Sequence, residues 1–212
     1  MEKDVRTCHP VNRFAVPVRL GADAVLAVVP YYSKPSPEGI IEHYRQLARV
    51  GVPVVAYEIP ARTGVRLSAE TVKRIFDIDG VIGLKDSSGD TALTAELTRG
   101  GETKPILCGD DLLFHAMLSQ GASGGILASA NWHTPIYLEA YRRFAAGDVQ
   151  GAKRTFDLLV PYIRLLFRES NPAPLKRVLA RQGLIASDHL RLPMVPVSDE
   201  LRAELDKAFK GA

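Results

Sequence analysis

Short apolar runs recur through the first two thirds of the chain, and each ends in a polar or turn-forming residue. Such runs are typical of strands that are covered on both faces of a parallel sheet. Their C-terminal tips lie roughly 20 to 30 residues apart, which leaves room for one helix between consecutive strands. The pattern predicts five βα units of an α/β fold, with strands at residues 24–29, 52–57, 81–85, 105–108 and 125–128.

Helix start signals fill the intervals between these runs. Ser36 precedes Pro37 and predicts an N-cap, Gly51 ends that helix, and Ser68 opens another helix with a start that is similar to a capping box. After residue 131 the strand pattern stops, and helical periods follow, with an extended, proline-rich connection at residues 191–196. The sequence therefore predicts a βα array followed by a helical tail, with helices at residues 135–146, 149–167, 174–182 and 198–210.

A lysine stands at the tip of the third apolar run. Lys85 ends the run of residues 81–84, and a polar segment follows it. Burying an ammonium is costly, and a desolvated neutral lysine is the nucleophile of Schiff-base chemistry. The alternative is a strand-end lysine that extends to solvent, as long basic side chains often do. Asp86 follows directly, but neighbouring strand residues point to opposite faces, so Asp86 need not pair with Lys85.

The preceding strand carries a phenol and a guanidinium at the same edge. Tyr57 can relay a proton, and Arg62 can bind a carboxylate with two hydrogen bonds. Taken singly, they are a packed aromatic residue and a surface charge. Taken with Lys85, they form a pocket suited to a keto acid that is held as a Schiff base.

Other features exclude several functions. Net charge is +3 without a long basic run, so nothing calls for nucleic acid or an anionic membrane. No apolar run approaches a membrane span of about 20 residues, and the N-terminus lacks a secretion signal. Cys8 and Cys108 have no disulfide or metal-ligand spacing, and the acidic pair Asp110 and Asp111 has no supporting ligands. We expect no metal and a reducing, cytoplasmic location.

These motifs together resemble the dihydrodipicolinate synthase and N-acetylneuraminate lyase family. The resemblance covers about Gly21 to the C-terminus. Its segments, in family order, are GADAVLAVVPYYSKP, YEIPARTG, GVIGLKDSSGD, CGDD, GGILASAN, NPAPLK and LRLPMVP.

The resemblance implies a (β/α)8 TIM barrel with a C-terminal helical domain, usually assembled as a homotetramer, although a dimer is an alternative. Only about five βα units are present, so we expect an N-terminally truncated chain. The implied domains are an irregular segment at 1–20, a partial barrel at 21–147 with strands four to eight of the family, and a helical domain at 148–212.

The resemblance also implies chemistry. Pyruvate condenses with a lysine as a Schiff base, without a cofactor, and Lys85 looks like that lysine. Tyr57 resembles the proton-relaying tyrosine, and Tyr32 the tyrosine that reaches into the neighbouring subunit's relay. Arg62 resembles the arginine that binds the carboxylate of the aldehyde substrate. Two further residues match positions that line the site: Gly109 and Ile126.

Two departures bear on the substrate. Ser33 and Glu58 stand where the family commonly has asparagine, and we expect Glu58 to add a charge beside the site. The favoured function is the condensation of pyruvate with aspartate semialdehyde, in lysine biosynthesis. The alternatives are a lyase or aldolase for another 2-keto acid such as a sugar acid, a non-catalytic remnant or assembly partner, and an open doubly wound binding protein.

Overall fold

Five parallel strands form one sheet in the computed structural model, which describes residues 20–210. The order of the strands in the sheet is their order in the chain, so each new strand adds to the same edge. This arrangement confirms the predicted βα array. The strands are β1 (Val25–Val28), β2 (Val54–Glu58), β3 (Val81–Asp86), β4 (Ile106–Cys108) and β5 (Gly124–Gly125).

Helices connect the strands and then continue alone after β5. Their bounds are α1 (Pro37–Ala48), α2 (Pro60–Thr63), α3 (Ala69–Phe76), α4 (Ala92–Arg99), α5 (Phe114–Ser119), α6 (Ala130–Ala145), α7 (Val149–Asp157), α8 (Val160–Leu166), α9 (Ala173–Arg181) and α10 (Asp199–Ala208). A 3-10 turn, Asp111–Leu113, precedes α5. No helix of residues 20–210 has the length and apolarity needed to cross a membrane.

The predicted helix caps are present. The Ser36 hydroxyl accepts a hydrogen bond from the Gly39 amide at 3.3 Å, and the Ser68 hydroxyl accepts one from the Thr71 amide at 3.1 Å. Each satisfies an amide that the first helical turn leaves without an intrahelical partner. Both helices therefore begin where the sequence predicts.

The two faces of the sheet differ in their cover. On one face, strand residues such as Val54 and Leu84 are buried together with Ile40 of α1 and Ile75 of α3. The opposite face carries Tyr57 and Lys85, and it also carries Leu26, which is 42% exposed. The expectation that both faces are covered is therefore wrong for the residues that the structure describes. Five strands form an open sheet, whereas a filled barrel needs about eight.

Three elements differ from the prediction. The last strand ends at Gly125 instead of residue 128, because the amides of Ala128 and Ser129 donate to the Asp111 carboxylate, at 3.3 and 2.7 Å. The helix predicted over residues 149–167 is two helices, and the second begins at a proline-containing turn. Helix α6 begins before residue 135 and has a kink at His133.

The contacts divide the chain into two units. The first comprises the described residues up to Asp110 together with Ala116–Gly125, and it holds the whole sheet. The second comprises Asp111–His115 and Ile126 onward, and its apolar core includes Leu166, Val178 and Leu201. The predicted domain limits at residues 20 and 147 stay predictions.

Candidate active site

Lys85 lies at the carboxyl end of β3, in register with Tyr57 of β2 and Leu107 of β4. Its Nζ atom is 4.2 Å from the centroid of the Tyr57 ring, and both side chains are half-buried. Paired residues of neighbouring strands point to the same face of a sheet, so the phenol ring and the amine are neighbours on this face. In parallel α/β folds, ligands bind at this end of the strands.

Gly109 gives the lysine its space. A Cβ atom at this position would lie 2.6 Å from Lys85 Cε and 2.2 Å from the Ser87 hydroxyl oxygen. Both distances are far below van der Waals contact, so any larger residue would displace the lysine chain or the hydroxyl. The Gly109 amide also donates to the Asp86 carbonyl at 2.8 Å, which fixes its backbone beside β3.

Ser87 is a candidate site residue that the sequence pattern does not single out. Its hydroxyl oxygen is buried and has no hydrogen-bond partner among residues 20–210. The Ser87 amide donates to the Glu58 carbonyl at 2.9 Å, which extends the pairing of β2 and β3 by one residue. The only signal in the sequence was its spacing of two residues from Lys85, which is the spacing of one sheet face.

Glu58 and Asp86 face the other way. They are paired across β2 and β3, one residue after Tyr57 and Lys85, and both side chains are buried. Asp86 accepts hydrogen bonds from the Ser88 amide at 2.9 Å and the Thr94 hydroxyl at 2.8 Å. The expectation that Glu58 adds a charge beside the site is wrong, because neighbouring strand residues point to opposite faces and Glu58 lies on the face opposite Tyr57 and Lys85.

Arg62 lies in α2, directly after the end of β2, and is exposed. Gly64 ends this short helix with a left-handed backbone, φ 71°, a conformation that glycine adopts without strain. The Leu67 amide donates to Glu58 Oε1 at 2.9 Å, and the Arg66 guanidinium donates to the Ser88 carbonyl at 2.8 Å. The loop that carries Arg62 is thus tied both to β2 and to the loop after Lys85.

The two remaining predicted residues are Tyr32 and Ile126. Tyr32, in the loop after β1, is 95% exposed and has a φ of 69°, which is uncommon for a residue other than glycine. Ile126 belongs to the second unit, immediately after β5, and is 40% exposed. The structure brings Lys85, Tyr57 and Gly109 together, and the roles predicted for all six residues stay predictions.

Within residues 20–210, no group of three His, Cys, Asp or Glu side chains is placed to hold a metal ion. The polar groups on the lysine face of the sheet are an amine, a phenol and a hydroxyl: Lys85, Tyr57 and Ser87. These groups can attack a carbonyl and move protons.

Comparison with known proteins places this arrangement in a family. The sequence profile of the dihydrodipicolinate synthetase family matches residues 15–212. The chain is 38% identical to 4-hydroxy-tetrahydrodipicolinate synthase 2 of Clostridium acetobutylicum, over 98% of this chain and 70% of that protein. It is 42% identical to the 4-hydroxy-tetrahydrodipicolinate synthase of Sorangium cellulosum, over 90% of this chain and 64% of that protein.

Comparison with solved structures leads to the same family. The dihydrodipicolinate synthase of Aquifex aeolicus superimposes with a TM-score of 0.89 and 32% identity, over 94% of this chain and 69% of that one. The chloride-inhibited enzyme of Acinetobacter baumannii, complexed with pyruvate, gives a TM-score of 0.89 and 34% identity over the same shares. The predicted fold class is confirmed, as a partial barrel, and the chain spans 64% to 70% of the length of these relatives. This chain belongs to the dihydrodipicolinate synthetase family.

Proposed function

We propose that this chain acts as a Schiff-base synthase that condenses pyruvate with aspartate semialdehyde. The observation that carries the proposal is the place of Lys85, whose amine lies at a strand's carboxyl end, 4.2 Å from the Tyr57 ring and against Gly109. Relatives that are 38% and 42% identical to this chain over the aligned residues are named 4-hydroxy-tetrahydrodipicolinate synthase, which supports the choice of reaction.

In the first half of the reaction, Lys85 Nζ attacks the keto carbon of pyruvate, and a C–N bond forms. The carbonyl oxygen takes up protons and leaves as water, which produces the Schiff base. Tyr57 lies beside the amine and relays these protons. The carbon skeleton stays bound to the enzyme through nitrogen, so no cofactor is required.

In the second half, the Schiff base draws electrons from the pyruvate methyl group, which loses a proton and becomes a carbon nucleophile. This carbon attacks the aldehyde carbon, and a C–C bond forms while the π bond of the aldehyde carbonyl opens and its oxygen takes up a proton to become a hydroxyl. Arg62 binds the carboxylate of the aldehyde substrate through its guanidinium, for which an exposed position at the rim is suitable. Water then releases the product and restores the free amine of Lys85.

Measurement of steady-state turnover tests both halves of the proposed reaction. Pyruvate consumption should require aspartate semialdehyde and should be abolished in Lys85→Ala. Arg62→Ala should raise KM for the aldehyde by about 10- to 100-fold, the loss expected for one charged hydrogen-bonding group, and leave KM for pyruvate unchanged. Arg99→Ala, at the exposed end of α4, is the matched control. Turnover that persists in Lys85→Ala would contradict the proposal.

We further propose that the active form is a homo-oligomer in which Tyr32 completes the proton relay of a second copy. Its exposure of 95% and its left-handed backbone present the phenol away from its own unit. Tyr32→Phe should lower kcat while sedimentation still gives a dimer or tetramer. A fully active monomer would contradict this part of the proposal.

A further inference from the structure

Glu58 closes the loop that carries Arg62. It is the last residue of β2 and its side chain is fully buried, with 0% exposure. Its Oε1 atom accepts a hydrogen bond from the Leu67 amide at 2.9 Å, so the carboxyl joins the two ends of residues 59–66. Helix α2, which carries Arg62, lies within the segment whose two ends this contact joins.

The second carboxyl oxygen of Glu58 has no such support. Oε2 is buried and has no hydrogen-bond partner among residues 20–210. An ionised carboxylate would leave its charge on this atom without a donor, whereas a protonated carboxyl leaves only a hydroxyl there. Asp86, paired with Glu58 across the strands, differs because it accepts two hydrogen bonds.

The groups that face Glu58 come from three elements. Burial raises the pKa of Glu58 to about 7, and the Asp86 carboxyl of β3 acts in the same direction. The Leu67 amide and the Arg66 guanidinium of the loop oppose this rise in pKa. Tyr44 of α1 gives no hydrogen bond to Glu58, because its hydroxyl donates to the Ala27 carbonyl at 2.8 Å. Burial also raises the pKa of Tyr44, so it stays neutral.

We propose that Glu58 is a proton-dependent positioning residue, whose neutral carboxyl holds residues 59–67 and thereby presents Arg62 to the second substrate. Its negative form keeps the contact with Leu67 but places a buried charge beside Asp86, so the loop opens more often. Three observations support this inference: the hydrogen bond from Leu67 that closes the loop, the buried Oε2 atom without a partner among residues 20–210, and the neighbouring carboxyl of Asp86. The link to substrate rests on the function proposed above for Arg62.

The direction and the size of the pH effect on loop opening follow from proton linkage. An open loop exposes Glu58 to water, where its pKa returns to the ordinary 4.5, so the closed loop binds the proton more tightly. Loop closure is therefore favoured at low pH and weakens as pH rises to about 7. Between about pH 6 and about pH 8.5, the equilibrium constant for opening should rise about tenfold.

Hydrogen exchange tests the loop without reference to catalysis. In the wild type, exchange of residues 59–67, corrected for the intrinsic rate, should be about tenfold faster at about pH 8.5 than at about pH 6. Glu58→Gln keeps an oxygen for the Leu67 amide but cannot ionise, so its corrected exchange should not change with pH. Glu70→Gln removes an exposed carboxylate of α3 and should behave as the wild type. An equal pH response in wild type and Glu58→Gln would overturn the proposal.

Kinetics then test the consequence for Arg62. The ratio of wild-type KM to Glu58→Gln KM for the aldehyde should be larger at about pH 8.5 than at about pH 6, while KM for pyruvate gives a constant ratio. A pH-dependent loop with a constant aldehyde ratio would show that Glu58 does not position Arg62. Absence of turnover in every variant would instead refute the proposed function, and the exchange experiment would still decide whether Glu58 controls the loop.

Discussion

Gly109→Ala is the sharpest test of how the fold places Lys85. The φ of Gly109 is outside the left-handed region, so the backbone accepts alanine, and only the new methyl group matters. That methyl would lie 2.6 Å from Lys85 Cε and 2.2 Å from Ser87 Oγ. Carbon atoms in contact are separated by about 3.5 to 4.0 Å, so the Cε atom must move by about 1 Å.

A displacement of about 1 Å in a reacting group can cost about 100-fold in rate. We therefore expect the rate of pyruvate trapping on Lys85 to fall by about that factor in Gly109→Ala. The free energy of unfolding should fall by about 1 to 3 kcal/mol, the usual cost of one extra methyl group in a packed region. The loss of rate should thus exceed what partial unfolding explains.

The assay is reduction with borohydride in the presence of pyruvate, followed over time by the mass of the Lys85 peptide. Gly124→Ala is the matched control, because this glycine lies on β5 of the same sheet and its nearest neighbour for a Cβ is Leu107 Cδ2, at 3.7 Å. The control should trap pyruvate at the wild-type rate. Equal trapping in Gly109→Ala and the wild type would refute the claim that Gly109 positions the lysine.

Two stability predictions follow from buried carboxylates. The raised pKa of Glu58 means that its contribution to the free energy of unfolding is greatest below about pH 4.5 and is lost by about pH 7. In denaturant titrations, the free energy of unfolding of the wild type relative to that of Glu58→Gln should therefore be about 2 kcal/mol lower at about pH 8.5 than at about pH 5.5, and a relative value that does not change with pH would contradict the assignment. Asp111→Ala should lower the free energy of unfolding by about 2 to 5 kcal/mol, because the Ala128 and Ser129 amides lose their acceptor. A loss below about 1 kcal/mol would show that water replaces the carboxylate.

The sequence predicted those parts of the fold that depend on local patterns. Apolar runs fixed four strands to within a few residues, and the hydroxyls of Ser36 and Ser68 fixed two helix starts. The register that sets Lys85 beside Tyr57 also follows from local pattern, since both residues end their strands at one edge of a parallel sheet.

Contacts between a side chain and a distant backbone could not be read from the sequence. The sequence predicts a charge of Glu58 beside the site, but strand alternation turns this side chain to the helix-covered face, where it accepts a hydrogen bond from the Leu67 amide. The predicted last strand is too long, because nothing local indicates that Asp111 accepts hydrogen bonds from the Ala128 and Ser129 amides, 17 and 18 residues later. Such contacts depend on how loops fold back, which no period in the sequence records.

The central claim is that Lys85 of this chain forms a Schiff base with pyruvate. Borohydride reduction of the protein with pyruvate, followed by peptide mass mapping, tests it directly. We predict a reduced pyruvate adduct on the peptide that contains Lys85, and none on that peptide in Lys85→Arg, because a guanidinium has no amine that can condense. A folded protein that acquires no adduct on Lys85, or acquires it on another lysine, would contradict the account.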